Sequence, residues 1–84
     1  MPEVEVGSVI SYFNGISVAG VELKGPLKLG DHIRISGATT NLEQVVESMQ
    51  VDNVSINEGA SGQQVGIRVL DRVRPGDHIY RLME

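Results

Sequence analysis

The chain has 84 residues, a net charge of −4, 40% hydrophobic residues and no cysteine. That length gives one small domain burying about 60–65% of its unfolded surface, and the missing cysteines exclude disulfides, zinc–thiolate sites and thiol catalysis. The acidic balance argues against general nucleic-acid binding, which needs clustered lysines and arginines.

No apolar run approaches the roughly 20 residues of a membrane span. The first residues, MPEVEVGS, lack the basic-then-apolar layout of a signal peptide. A soluble, cytoplasmic protein without membrane contact is expected. Ten glycines and only three aromatics, Tyr12, Phe13 and Tyr80, favour short strands and tight turns over long helices.

In chain order, the first predicted element is a hairpin with strands near Val4–Phe13 and Ile16–Leu23. Asn14-Gly15 between them is the preferred pair for a type I′ turn. On the second strand the apolar phase changes at Ala19-Gly20, which predicts a β-bulge there. Gly25-Pro26 and Gly30-Asp31 then mark turns around a short apolar link. HIRIS alternates, with Ile33 and Ile35 on one face.

The stretch TTNLEQVVESMQ admits two readings. Leu42, Val45, Val46 and Met49 have helical spacing, and Thr40 with Glu43 has that of a capping box. Read as a strand, Val45, Glu47, Met49 and Val51 share one side. Further on, Val54–Ile56 is a short strand and NEGASG a turn. Val65, Ile67 and Val69 share a face, DRVRPGD is a turn, and HIYRLM is the last strand. About seven short strands between turn signals imply a sandwich or small barrel.

Taken together, VGSVISYF, VELKGPLKLGDHIRISG, the run from Thr39 to Val69, and VRPGDHIY resemble the second domain of elongation factor Tu-type translational GTPases. The resemblance extends from Val6 to Leu82. It implies an all-β fold, a small closed or partly open antiparallel barrel of six to seven short strands, with residues 1–84 as one such domain. It also implies a strand across Leu42–Val51.

Gly-Asp-His-Ile occurs twice, at Gly30–Ile33 and Gly76–Ile79, and holds both histidines, His32 and His78. A metal site would need these histidines to converge with Asp31 and Asp77, and structural zinc normally takes four ligands. The alternative is a repeated turn in which glycine supplies a positive φ, aspartate accepts from the following backbone N–H groups, and isoleucine enters the core. The turn reading is preferred, with no metal and no cofactor.

The chain has no phosphate-binding Gly-x-x-x-x-Gly-Lys-[Ser/Thr] loop and no Gly-x-Ser-x-Gly elbow. No bound nucleotide and no catalytic residues are expected. The resemblance implies a non-catalytic module docking on tRNA, ribosomal RNA or a ribonucleoprotein. Candidate contacts are Arg68, Arg72, Arg74, Tyr80 and Arg81, because arginine forks suit phosphate and tyrosine can stack on a base. Against this, the arginines can pair with Asp71, Asp77 and Glu84 on a mixed surface. Moreover Gln50-Val51-Asp52 stands where the family carries a basic pair. A second reading comes from a similar barrel at the C-terminus of collagenase-like peptidase family proteins, several of them associated with RNA modification. It implies an accessory domain working through protein contact with a separate enzyme chain. Self-association through sheet edges is a third.

Overall fold

The structure, a computed structural model, describes residues 3–82. Its strands are β1 (Glu3–Phe13), β2 (Val18–Leu23), β3 (Leu27–Lys28), β4 (His32–Ser36), β5 (Asn41–Val45), β6 (Met49–Val51), β7 (Val54–Ser55), β8 (Glu58–Gly59), β9 (Gln64–Arg68) and β10 (His78–Leu82). Every pairing is antiparallel, and no helix occurs among the described residues. None is therefore long and apolar enough to cross a membrane. Eight strands form one sheet in the order β5-β4-β10-β1-β2-β9-β6-β7, and β3 with β8 form a second.

The two Gly-Asp-His-Ile copies are one turn built twice. Gly30 and Gly76 have φ of 91° and 96°, the left-handed values of a type II turn's third residue. In each turn the aspartate N–H donates to the carbonyl of Lys28 or Arg74, at 3.1 Å in both. The aspartate carboxylate accepts in return from the N–H of Lys28 (3.0 Å) or Arg74 (2.9 Å). The acceptor thus serves the N–H three residues before it rather than those that follow, because the turn folds that donor back over the side chain. Ile33 and Ile79 then enter the core fully buried.

The repetition extends beyond the turns. Gly30 N–H donates to Val46, whose own N–H donates to Asp31 O, both at 2.9 Å. Gly76 and Asp77 make the same exchange with Val9, both at 2.8 Å. β2 pairs with β9 about Gly20 and Gly66, and β4 pairs with β10 about Arg34 and Tyr80. The two halves are therefore related by an approximate twofold axis. Under that relation, β1, which pairs first with β10 and then with β2, matches β5 and β6 taken together.

This explains the ambiguous segment. A strand is correct for 41–45 and 49–51, but the chain leaves strand geometry at 46–48, where it changes partner from β4 to β9. The break resets the parity, so Gln44, Val46 and Met49 are buried while Val45 and Glu47 are exposed. It also leaves the ladder open between β5 and β7, so the strands do not close into the expected barrel. Gln44 ties β5 to the end of β9: its Nε2 donates to Arg68 O and its Oε1 accepts from Leu70 N–H, both at 2.8 Å. Satisfying two backbone groups offsets the desolvation of a buried amide.

Two local expectations are corrected. The hairpin loop spans four residues, Asn14–Ser17, and its left-handed residue is Ser17 (φ 55°), so Asn14-Gly15 forms no type I′ turn. Type I′ geometry belongs to Asp52-Asn53 (φ 51° and 65°), which joins β6 to β7. The bulge lies on β1 at Ile10, opposite Gly20 and Val21, not within β2.

The core is aliphatic, with Val6, Val9, Val21, Leu23, Leu27, Ile33, Ile35, Met49, Ile67 and Ile79 buried in one cluster. Gly37 leaves room for the Asp77 carboxylate, since a Cβ there would overlap Asp77 Oδ1. Asp77 is 5% exposed and Asp31 only half-buried. Removing Asp77 strands a partly buried N–H, whereas water reaches the other turn. Asp77→Ala should therefore cost about 2 kcal/mol and Asp31→Ala about half that, measured by urea unfolding; equal losses would contradict the difference drawn between the turns.

Candidate functional site

The five residues singled out from the sequence do not converge. Arg72 and Arg74 flank the buried Val73 and come together on a shallow cleft of about 450 Å³ with Tyr12, Asn14 and Pro75. Arg68 lies on β9 in register with Val18. Tyr80 and Arg81 are neighbours on β10, and their side chains leave the strand on opposite faces. Arg81 lines a separate cleft with Lys28, Asp31 and Glu58, and its Nε is buried without a partner. Among the described residues no side-chain ion pair involves Arg68, Arg72 or Arg74. The expected acids act on backbone instead: Asp71 accepts from Arg72 N–H and Asp77 from Arg74 N–H, while Glu84 lies outside the described residues.

Tyr80 belongs to a charged face shared by β1, β4 and β10. The Arg34 guanidinium lies 5.1 Å from the Tyr80 ring centroid, in cation–π range. Arg34 also forms a two-point pair with Glu3, donating from Nε to Oε2 at 3.0 Å and from Nη2 to Oε1. Beside it, His78 Nδ1 lies 2.6 Å from Glu5 Oε2, and Lys24 Nζ 3.5 Å from the same oxygen. The Arg34 hydrogen bond holds the Glu3 carboxyl below the ordinary carboxylate range, and the His78 hydrogen bond, aided by Lys24, does the same for Glu5.

The histidines take different positions. β4 and β10 run antiparallel with His78 opposite Ser36, so His32 and His78 lie at opposite ends of the pair. Among the described residues no group of three metal-ligating side chains is close enough to hold an ion.

A groove of about 410 Å³ with an apolar rim crosses the outer face of β1, β2, β9 and β6. Gly20 and Gly66, paired across β2 and β9, lie in its floor, where the side chains of Ser11, Val18 and Gln50 take the space a Cβ would fill. The β1 bulge turns Ile10 outward, and the hairpin loop sets Ile16 beyond Phe13. These three are 45%, 63% and 52% exposed, respectively. The opposite rim is polar, formed by Gln50, Asp52, Asn53 and Gln64. Sequence reasoning overlooked this groove. Its signal was adjacent apolar residues on both strand parities, Val9-Ile10 and Tyr12-Phe13, which cannot all face inward.

No family model matches the chain. It is 40% identical over 83 residues to an uncharacterized protease of Methanocaldococcus jannaschii, covering 98% of this chain and 20% of that protein. A collagenase of Porphyromonas gingivalis is 37% identical over 81 residues, 94% of this chain and again 20% of the relative. The chain thus spans about a fifth of the length of the curated relatives it matches. In fold it is similar to the C-terminal domain of a Geobacillus thermoleovorans protein named as a U32 peptidase. The TM-score is 0.88 at 20% identity, covering 94% of this chain and 92% of that one. The selenomethionine form of the same domain gives 0.86.

The translation-factor resemblance does not hold. Sequence similarity runs instead to about a fifth of proteins named protease and collagenase, which overturns the expected elongation-factor-like, RNA-docking module. The shared turns and alternating strands belong to architecture, which unrelated functions reuse.

Both glutamates have depressed folded-state pKa values, so their pairs stabilise the fold above the unfolded value near 4.5 and lose that effect as pH falls through the lower folded value. The thermal midpoint should therefore drop between about pH 5 and pH 3, and the double variant Glu3→Gln, Glu5→Gln should flatten that drop. An unchanged acid limb in the variant would remove these pairs as its cause.

Proposed function

We propose that residues 1–84 act as a single accessory domain of a U32 peptidase-type enzyme, contributing protein contacts rather than the reaction centre. The carrying observation is 40% identity across 98% of the chain with only a fifth of a protein named as a protease. A stretch that small, shared with much longer chains, is suited to a module whose chemistry lies elsewhere. The scattered histidines and the apolar-rimmed outer groove agree with that division of labour.

We regard the curled sheet as a barrel interrupted at 46–48. β5, at one end of the ladder, runs on through 46–48 into β6 near the other end, and Gln44 ties β5 to Arg68 and Leu70 at the end of β9. Such a rigid shell holds its outer face in one shape, which favours docking over induced folding.

Two measurements test the reading. The isolated chain should leave gelatin and casein intact, and it should form a one-to-one complex with the peptidase-type chain of its own genome, read by light scattering. Cleavage by the isolated chain would show that the reaction centre lies within it, and failure to associate would remove the accessory role.

A further inference from the structure

We infer that the groove floored by Gly20 and Gly66 is the docking surface for an apolar segment of the peptidase portion, one that carries a lysine or arginine beside its aliphatic side chains. The inference rests on the accessory-domain reading and adds the surface and the chemistry it selects.

Ile10, Phe13 and Ile16 present three large apolar side chains to water around one depression, in a chain whose core is otherwise well covered. A contiguous exposed apolar patch with a polar rim marks an interaction site. At the floor, Ser11, Val18 and Gln50 occupy the space beside Gly20 and Gly66, so an incoming aliphatic side chain meets Val18 and the Gln50 methylenes.

Among the described residues, Asp52 is the one ionisable side chain lining the groove, and no ion pair engages it. It sits in a tight two-residue turn with positive φ, so its position on the rim is fixed by backbone geometry. An apolar partner without a cation would leave this carboxylate facing it unpaired, whereas a lysine or arginine next to the aliphatic anchors would match it.

The curated relatives carry about four-fifths of their length outside the matched stretch, so a partner surface travels with this module there.

Site-specific photo-crosslinking in the complex with the peptidase-type chain of the same genome tests the assignment. Phe13→benzoylphenylalanine and Ile16→benzoylphenylalanine should both crosslink to the peptidase chain. The same replacement at Leu29 and Leu70, which are exposed and apolar but outside the groove, should not. Phe13→Ser should weaken the complex about tenfold. Asp52→Asn, which keeps the turn, should weaken it about threefold at low salt and little at high salt. Crosslinks from Leu29 or Leu70 alone would overturn the groove and leave the accessory role standing. No complex at all would overturn both. Crosslinks only between copies of this chain, or only to RNA, would overturn the assigned occupant.

Discussion

The structure depends on a glycine held at positive φ with an aspartate beside it that binds back across the turn. Each such turn does three things at once. It reverses the chain, aims an isoleucine into the core, and offers its own N–H and C=O to a valine of a neighbouring strand. Because Val9 and Val46 answer those groups, each turn fixes the register of two strands instead of merely joining them. Two copies of this device place β4 and β10 side by side in the ladder, and the remaining strands extend outward from that pair.

The surface divides into faces with different chemistry. Over β1, β4 and β10 lie paired charges, Arg34 with Glu3 and His78 with Glu5, which satisfy one another and leave little to recruit a partner. Over β1, β2, β9 and β6 lie the apolar rim and the glycine floor. The Arg72–Arg74 cleft lies apart from both. Arginine clustering in the sequence drew attention to charge, but the physical anomaly is hydrocarbon left in water.

Fold class was legible because strand alternation and turn residues act locally. HIRIS and the Val65-Ile67-Val69 run point inward as their patterns indicate, and the Gly-Asp repeat proved architectural. Features set by pairing between distant strands were not legible. Asn14-Gly15 is a strong local turn signal, yet pairing of Phe13 with Val18 imposes a four-residue loop there. The bulge moved to Ile10 because the extra residue must oppose Gly20, a fact about two strands rather than one. At 42–51 the helical spacing of apolar residues arises from a strand that breaks and changes partner. Family resemblance misled for a related reason: the motifs that carried it, Gly-Asp turns and Val-Gly-Ile runs, are what this framework requires whatever it binds. Of the candidate site, only Arg72 and Arg74 came together, and the groove went unnoticed because exposure is a property of the finished sheet.

The first and last described strands are direct neighbours, with Glu3 opposite Leu82. β1 therefore waits for β10 before one of its edges is covered. During synthesis the ribosome must release almost the entire segment before this seam can close, so folding is a late event dominated by long-range closure. Until then the exposed edge of β1 is open to mispairing, and a chaperone or an already folded neighbouring domain would have its greatest effect in that interval.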